Sequence, residues 1–245
     1  MTTDATKKAA LIIGAGDATG GAIARRFARE GLIACATRRS ADKLQPLIDE
    51  IVAGGGQAHG FASDARQEEE VIQLVETIER DIAPIEVLVF NIGANVPCSI
   101  LEETARKYFK IWEMACLGGF LVGREVAKRM VTRGQGTIIF TGATASLRGS
   151  AKFAAFAGAK HGLRALAQSM ARELGPRNIH VAHVVIDGAI DTQFIRDNAP
   201  ERYALKDQCG ILIPDHIAAN PWHLHSQPHD AWTHELDLRP WSERW

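Results

Sequence analysis

The stretch AALIIGAGDATGGAIARRFARE, residues 9–30, sets five apolar residues directly against a glycine-rich turn and then a segment of helical length. A short apolar run bounded by glycine reads as a strand buried on both faces, the pattern of a parallel sheet covered by helices. Gly14, Gly16 and Gly20 bracket a tight turn into a helix N-terminus. Small residues there let the backbone approach a pyrophosphate, and the unpaired amides and positive end of the helix dipole stabilise its charge. Turns also use glycine for steric reasons alone. The weight of the motif lies in its place after the first strand and before a long helix. The spacing GxGxxG does not fit, because its last position is Thr19.

Outward from this turn the alternation continues. LIACAT (32–37) precedes a helical ADKLQPLIDEIVA (41–53), and QAHGFAS (57–63) precedes EEEVIQLVETIERD (68–81). VLVF (87–90) leads to a long helix over about 104–133, TIIFTG (137–142) to a helix over 152–174, and HVAHVVI (180–186) follows. This order predicts an α/β fold with a doubly wound, mostly parallel sheet of about seven strands and helices on both faces. Gly54, Gly55 and Gly56 sit where a helix should stop before a strand. No internal repeat or linker divides the chain, and 245 residues suit one domain, 1–245.

After Gly188 the alternation weakens. The segment at about 189–215, with Pro200 and Pro214, reads either as a substrate lid near the strand ends or as a surface loop with two short helices. AWTHELDLRPW (231–241) restores a strand-like stretch, at about 231–240, whose aromatic and apolar groups could seal a subunit contact. Homo-oligomerisation through this stretch is therefore expected.

Composition excludes several classes. With 28 Lys plus Arg against 29 Asp plus Glu, the net charge of -1 provides no field for nucleic acid or anionic lipid. No apolar run approaches the ~20 residues that span a bilayer, and MTTDATKKAALIIG starts polar and enters a strand at once. These features predict a cytoplasmic protein with no membrane or nucleic-acid partner. Cys35, Cys98, Cys116 and Cys209 are scattered without a CxxC pair, which reads as reduced thiols. His216, His223, His225, His229 and His234 crowd the last thirty residues, but no thiolate or carboxylate cluster completes a ligand set. A polar C-terminal loop without metal is expected there.

In FAAFAGAK (153–160), Phe156 and Lys160 stand four apart and share a helix face. A phenol at the first position would carry a proton, which a phenyl ring cannot do. Read with the glycine turn, with NIG at 91–93, with the run from Lys160 to Val181 and with DGAIDT at 187–192, the chain resembles the short-chain dehydrogenase/reductase family. That family's glycine pattern allows Ala18 between Gly14 and Gly20.

The resemblance implies a single-domain Rossmann fold that binds a nicotinamide dinucleotide. It puts Gly14, Gly16, Asp17, Thr19 and Gly20 at the cofactor, with Asn91 and Gly93 supporting the adjoining strand end. It also implies that Asp64, followed by Ala65, hydrogen-bonds the adenine, and that Gly188, Ile190 and Thr192 lie toward the nicotinamide. Arg38 stands where NAD-preferring relatives carry an acid, and Arg39 follows it. Guanidinium groups bind a 2′-phosphate that a carboxylate would repel, so NADP(H) is expected in preference to NAD(H). The plain alternative is two solvated charges at a strand end.

Relatives that act on carbonyls or alcohols pair a tyrosine with the lysine, and add a serine and an asparagine. Here Phe156 falls at the tyrosine position, Ala143 at the serine position and Ala115 at the asparagine position. A one-residue slip would put Thr144 in place of the serine. Lys160 is retained and is implied to anchor the cofactor's ribose; as a bare residue it is a lysine on a helix surface. Tyr203, in the segment after Gly188, is the one tyrosine that could swing inward, since Tyr108 falls at the start of the long helix. Two functions follow. One is an NADPH-dependent oxidoreductase whose activated, flat apolar substrate meets a wall of Phe156, Ala143 and Ala115. The other is an NADP(H)-binding sensor, scaffold or partner subunit without turnover.

Overall fold

The computed structural model describes residues 7–244. The first six residues, which carry the polar start noted above, and the outermost ends of the 1–245 domain lie outside the described residues. Seven strands form one sheet: β1 Ala9–Ile13, β2 Ile33–Arg38, β3 Gln57–Ala62, β4 Ile85–Phe90, β5 Gly136–Thr141, β6 Ile179–Ile186 and β7 Glu235–Leu238. Their order is β3-β2-β1-β4-β5-β6-β7, and every pairing is parallel. The doubly wound Rossmann-type sheet expected from the alternation is present. Its order reverses between β1 and β4, so their carboxyl ends diverge into a crevice.

The strands divide their side chains by the two-residue period of extended chain. Leu11 and Ile13 of β1 enter one core with residues of α3 (Glu68–Asp81), α5 (Gly118–Arg133) and α6 (Ala154–Leu174), once α4 (Ala105–Trp112) has brought the chain across. Ala10 and Ile12 enter the other core with α1 (Thr19–Arg29) and α2 (Gln45–Ala53). Full burial of each Leu, Ile, Val or Phe contributes about 1.5–3 kcal/mol, so a one-residue slip of any central strand would be strongly disfavoured.

Two elements differ from expectation. The long helix expected over about 104–133 runs unbroken from Ala105 to Arg133, but a wider, π-type turn at Glu113–Leu117 divides it into α4 and α5. Glycines follow it, and a Cβ at Gly119 would lie 2.5 Å from Leu163 Cδ1, so α5 reaches α6 at a separation that the bare backbone permits. The histidine-rich region is not a loop. His216, His223 and His225 belong to a helix, Pro214–His225, which follows α7 (Gln193–Asn198) and α8 (Pro200–Tyr203) and is numbered α9. Pro214 occupies its first turn, where a missing N–H costs nothing. Pro221 cannot donate to the Ile217 carbonyl, and the Asn220 side-chain amide donates there instead at 3.4 Å, as well as to His216 O at 3.0 Å. That local repair keeps a proline inside a helix.

Through α9 the C-terminal region closes over α1. Phe27 packs edge-on against Trp222 with ring centroids 5.7 Å apart, and His225 Nδ1 lies 3.0 Å from Thr137 Oγ1. The strand-like stretch of 231–241 is realised as β7, and Glu235 fastens it by accepting from Arg164 Nε and Nη2 at 2.6 Å and from His183 Nδ1 at 3.0 Å. Arg164 holds the Glu235 carboxyl below the usual range, while burial pushes His183 down to about 4. The four cysteines are free, and burial pushes the Cys35 thiol up to about 12. Among the described residues, no helix is long and apolar enough to cross a membrane.

Phe27 is fully buried between α1 and α9. Phe27→Ala is expected to lower stability by about 3–5 kcal/mol, the usual range for emptying a buried aromatic site, with the urea-unfolding slope unchanged.

Candidate active site

The glycine turn closes by near contact of its own backbone. A Cβ at Gly20 would fall 2.3 Å from Gly14 O, and one at Gly14, where φ is +84°, would fall 2.8 Å from Asn91 O. At Gly16 a Cβ would meet nothing within 4 Å, so that face of the turn is open. No side chain caps the first turn of α1, whose cap position is Ala18. The Gly21 N–H turns back to Gly16 O at 2.8 Å, so Thr19 and Gly20 carry the leading N–H groups that remain for an anion. This bare, uncapped turn fits a dinucleotide pyrophosphate.

Asn91, at the end of β4, donates from Nδ2 to Gly14 O at 3.2 Å and accepts from Thr141 Oγ1 at 3.2 Å. Beside it opens a cavity of about 680 Å³, bordered by Gly14, Gly16, Asp17, Thr19, Gly20 and Asn91 at one end. Gly93, Ala143, Thr144, Phe156, Lys160, Gly188 and Ile190 border it elsewhere. A second cavity of about 200 Å³ shares Gly14 and Gly93 and is bordered by Arg38, Arg39, Asp64 and Ala65. Of the residues expected at the cofactor or at the four catalytic positions, only Ala115 and Thr192 border neither.

Ala115 is fully buried inside the π-type turn, among Ala94, Ile111, Cys116, Ala155 and Ala159. It is not part of the apolar wall expected of it. Thr192 caps α7, its hydroxyl accepting from Ile195 N at 3.2 Å. Asp64 is engaged by Arg66, whose hydrogen bond holds the carboxyl below its usual range. Arg38 donates to Asp17 Oδ1 at 3.0 Å across the mouth of the glycine turn. Arg39, on the second cavity, adds a weaker Coulombic pull on Asp64.

Lys160 is 2% exposed. Its Nζ donates to Thr141 O at 2.7 Å and Ile92 O at 2.9 Å. Burial pushes its pKa down to about 7, while Cys116 acts in the opposite sense. The carbonyl oxygens also favour the charged form. Phe156 lies one turn earlier on α6, and its ring packs with Ala143, Ala145 and Ala157.

Thr144 donates its hydroxyl hydrogen to Asp187, a fully buried carboxylate at the end of β6. Its oxygen is then left as an acceptor and cannot donate to a substrate carbonyl. The Ala143 N–H is also engaged, donating to Ser146 Oγ at 3.1 Å. Tyr203 is held outside by Arg196, whose Nη2 donates to its hydroxyl at 2.6 Å, and no tyrosine borders the large cavity among the described residues. Tyr108 presses its hydroxyl against Gly158, where a Cβ would lie 2.5 Å away. The histidines of α9 form no ligand group: among the described residues no three His, Cys, Asp or Glu side chains gather to hold a metal.

A protein-family model described as short chain dehydrogenase matches residues 8–202. The chain belongs to this family of short-chain dehydrogenases/reductases. A short-chain dehydrogenase/reductase of Armillaria gallica is 32% identical over 177 residues, 71% of this chain and 68% of the relative. The 2-dehydro-3-deoxy-D-gluconate 5-dehydrogenase of Formosa agariphila is 31% identical over 179 residues, 73% and 68% of the two chains. The crystal structure of a short-chain dehydrogenase from Rhodopseudomonas palustris superposes with a TM-score of 0.81 at 47% identity, covering 96% of this chain and 99% of that one. A metagenomic short-chain oxidoreductase in complex with NADP gives 0.82 at 25% identity, with 96% of each chain covered. The family so matched is one of NAD(P)-using oxidoreductases.

Sequence reading passed over Asp187, Arg148, Phe153 and Thr141 as site residues. An acid directly after the eight-residue apolar strand β6 was the available signal for Asp187.

The depressed Lys160 pKa sets a direction for stability. Between about 7 and the ordinary lysine value of 10.5, the unfolded chain binds more protons than the folded one. This term therefore raises stability with rising pH across that window and is constant below it. In cofactor-free protein, chemical denaturation at pH 7, 8.5 and 10 is expected to show this rise in wild type and its loss in Lys160→Met.

Proposed function

We propose that this chain is an NADP(H)-preferring oxidoreductase that transfers hydride to or from an activated carbon without a tyrosine acid. The observation that carries the reading is Phe156, buried on the cavity wall one helical turn from Lys160. When bound, NADPH supplies the hydride. The uncapped start of α1 binds the pyrophosphate, and Arg38 with Arg39 binds the 2′-phosphate, for which Arg38 exchanges its Asp17 partner. Lys160, fixed by Thr141 O and Ile92 O, holds the nicotinamide ribose. Ile190 and Gly188 border the nicotinamide end.

The wall of Phe156 and Ala143 is apolar and offers no proton. Loss of a positioned acid costs about 10²–10⁴ in rate. An acceptor such as a conjugated or iminium-like carbon is therefore the substrate class, with the proton drawn from water or from the substrate. The segment 189–215 contributes Ile190, Ile195 and Arg202 to the cavity and acts as its lid. Exposed Phe109 on α4 and Phe120 on α5, together with β7, support a homodimer or homotetramer. Free thiols support a cytoplasmic location.

Two measurements test this reading. Replacing Arg38 and Arg39 together by alanine should weaken NADPH binding by about tenfold or more, as loss of charge-assisted hydrogen bonds requires, and leave NADH affinity nearly unchanged. Equal losses for both nucleotides would refute the preference. Single-turnover oxidation of bound NADPH, followed by absorbance, should proceed with activated acceptors and be slow with simple ketones, and Phe156→Tyr should raise the ketone rate. Stable NADPH with every acceptor would instead describe a cofactor-binding protein without turnover.

A further inference from the structure

The large cavity continues beyond its apolar wall into an adjoining space of about 280 Å³, and Arg202 and Glu243 border both. Three cations stand in the segment 189–215, and two of them are engaged within it. Arg196 donates to the Tyr203 hydroxyl and lies over its ring, and Lys206 pairs with Asp191 at 2.8 Å. The guanidinium of Arg202, on α8, makes no hydrogen bond or ion pair among the described residues and faces the cavity. Arg148 borders the same cavity, partly satisfied by a long 3.4 Å contact to Asp187, whose other oxygen accepts from Thr144.

Besides Asp17 and Lys160 toward the glycine turn and α6, the charged side chains that border the two spaces are Arg148, Arg202, Arg244 and Glu243, with Asp187 against Arg148. Asp187 is fully buried beneath Arg148 and already engaged, and Glu243 forms no ion pair with Arg202. Among the described residues, Arg148, Arg202 and Arg244 against Asp187 and Glu243 leave one positive charge in excess. Phe153 and Phe156 border the same cavity and supply its apolar side.

We propose that the substrate is a monocarboxylate with a flat unsaturated or aromatic body. Arg202 receives the carboxylate in a forked, charge-assisted pair with Arg148 as the second contact, and the body lies against Phe153 and Phe156. This deepens the oxidoreductase reading and rests on its assignment of the large cavity to cofactor and substrate. The carboxylate orients the ring, a task that the missing serine and tyrosine leave undone. Arg202, carried on the segment over the cavity, couples binding of the anion to the position of that segment.

Benzoate and benzamide share size and shape and differ in charge, so they serve as probes. Calorimetric titration of the full chain, with and without saturating NADPH, is expected to show benzoate binding about tenfold or more tighter than benzamide. Arg202→Gln, on an exposed short helix, should lower benzoate affinity by about tenfold and leave benzamide and NADPH affinities unchanged. Arg148→Lys, which keeps the charge over Asp187, should give a smaller loss.

Equal affinity for the two probes, or no binding of either by a chain that binds NADPH, overturns the proposal. So does an Arg202→Gln variant that loses NADPH rather than benzoate, since Arg202 would then serve the cofactor's phosphates. If wild type fails to bind NADPH, the oxidoreductase reading falls on that result, and the titration of cofactor-free protein alone decides whether the carboxylate site exists.

Discussion

Asn91 ties the carboxyl ends of β1, β4 and β5 through one amide side chain. It gives a hydrogen to Gly14 O and takes one from Thr141 Oγ1, and Thr141 O in turn accepts from Lys160. A single such bond contributes only about 1 kcal/mol net. Here Thr141 and Lys160 are buried, so removal of either partner of their bond leaves the other unsatisfied at higher cost. The glycine turn, the crevice between β1 and β4 and the position of α6 depend together on this chain of contacts. Gly14 and Gly20 make it possible, because any side chain at either would drive the loop away from Asn91 or from itself.

Around the end of that network the chemistry is lopsided. The cation that holds a nicotinamide ribose in this family is built in firmly, while the groups beside it that would move a proton are phenyl and methyl. Thr144, which follows the serine position in the chain, has its hydroxyl hydrogen committed to a buried carboxylate. Polarity reappears farther out, as guanidinium groups on Arg148 and Arg202. A site arranged in this way orients and desolvates a substrate more than it protonates one, which suits a reaction whose difficult step is carried by the cofactor.

The strands, the order of the helices and the turn after β1 were legible because each depends on local pattern: apolar runs, glycine punctuation and a single face of α6. Lys160 and Phe156 were legible for the same reason, since four residues of helix bring them to one wall whatever else the chain does. Helix α9 was not legible. The histidine-rich stretch reads as a polar loop, and Pro221 opposes a helix there except that the Asn220 side chain donates to the Ile217 carbonyl that Pro221 leaves unpaired. The π-type turn and the burial of Ala115 were likewise hidden, because they arise from how closely α5 can approach α6.

Sequence by itself thus determined the fold family, the cofactor-binding turn and the apolar character of the wall beside Lys160. Tertiary structure alone decided where the charges meet. Thr144 and Asp187 are 43 residues apart, and Arg164 and Glu235 are 71 apart. Arg202 and Arg148 reach the same cavity from a short helix and a loop with no common pattern. Hydrophobic periodicity registers which face of an element is buried and is blind to which distant element covers it. Pairing of charges depends on that second choice, and only the packed molecule makes it.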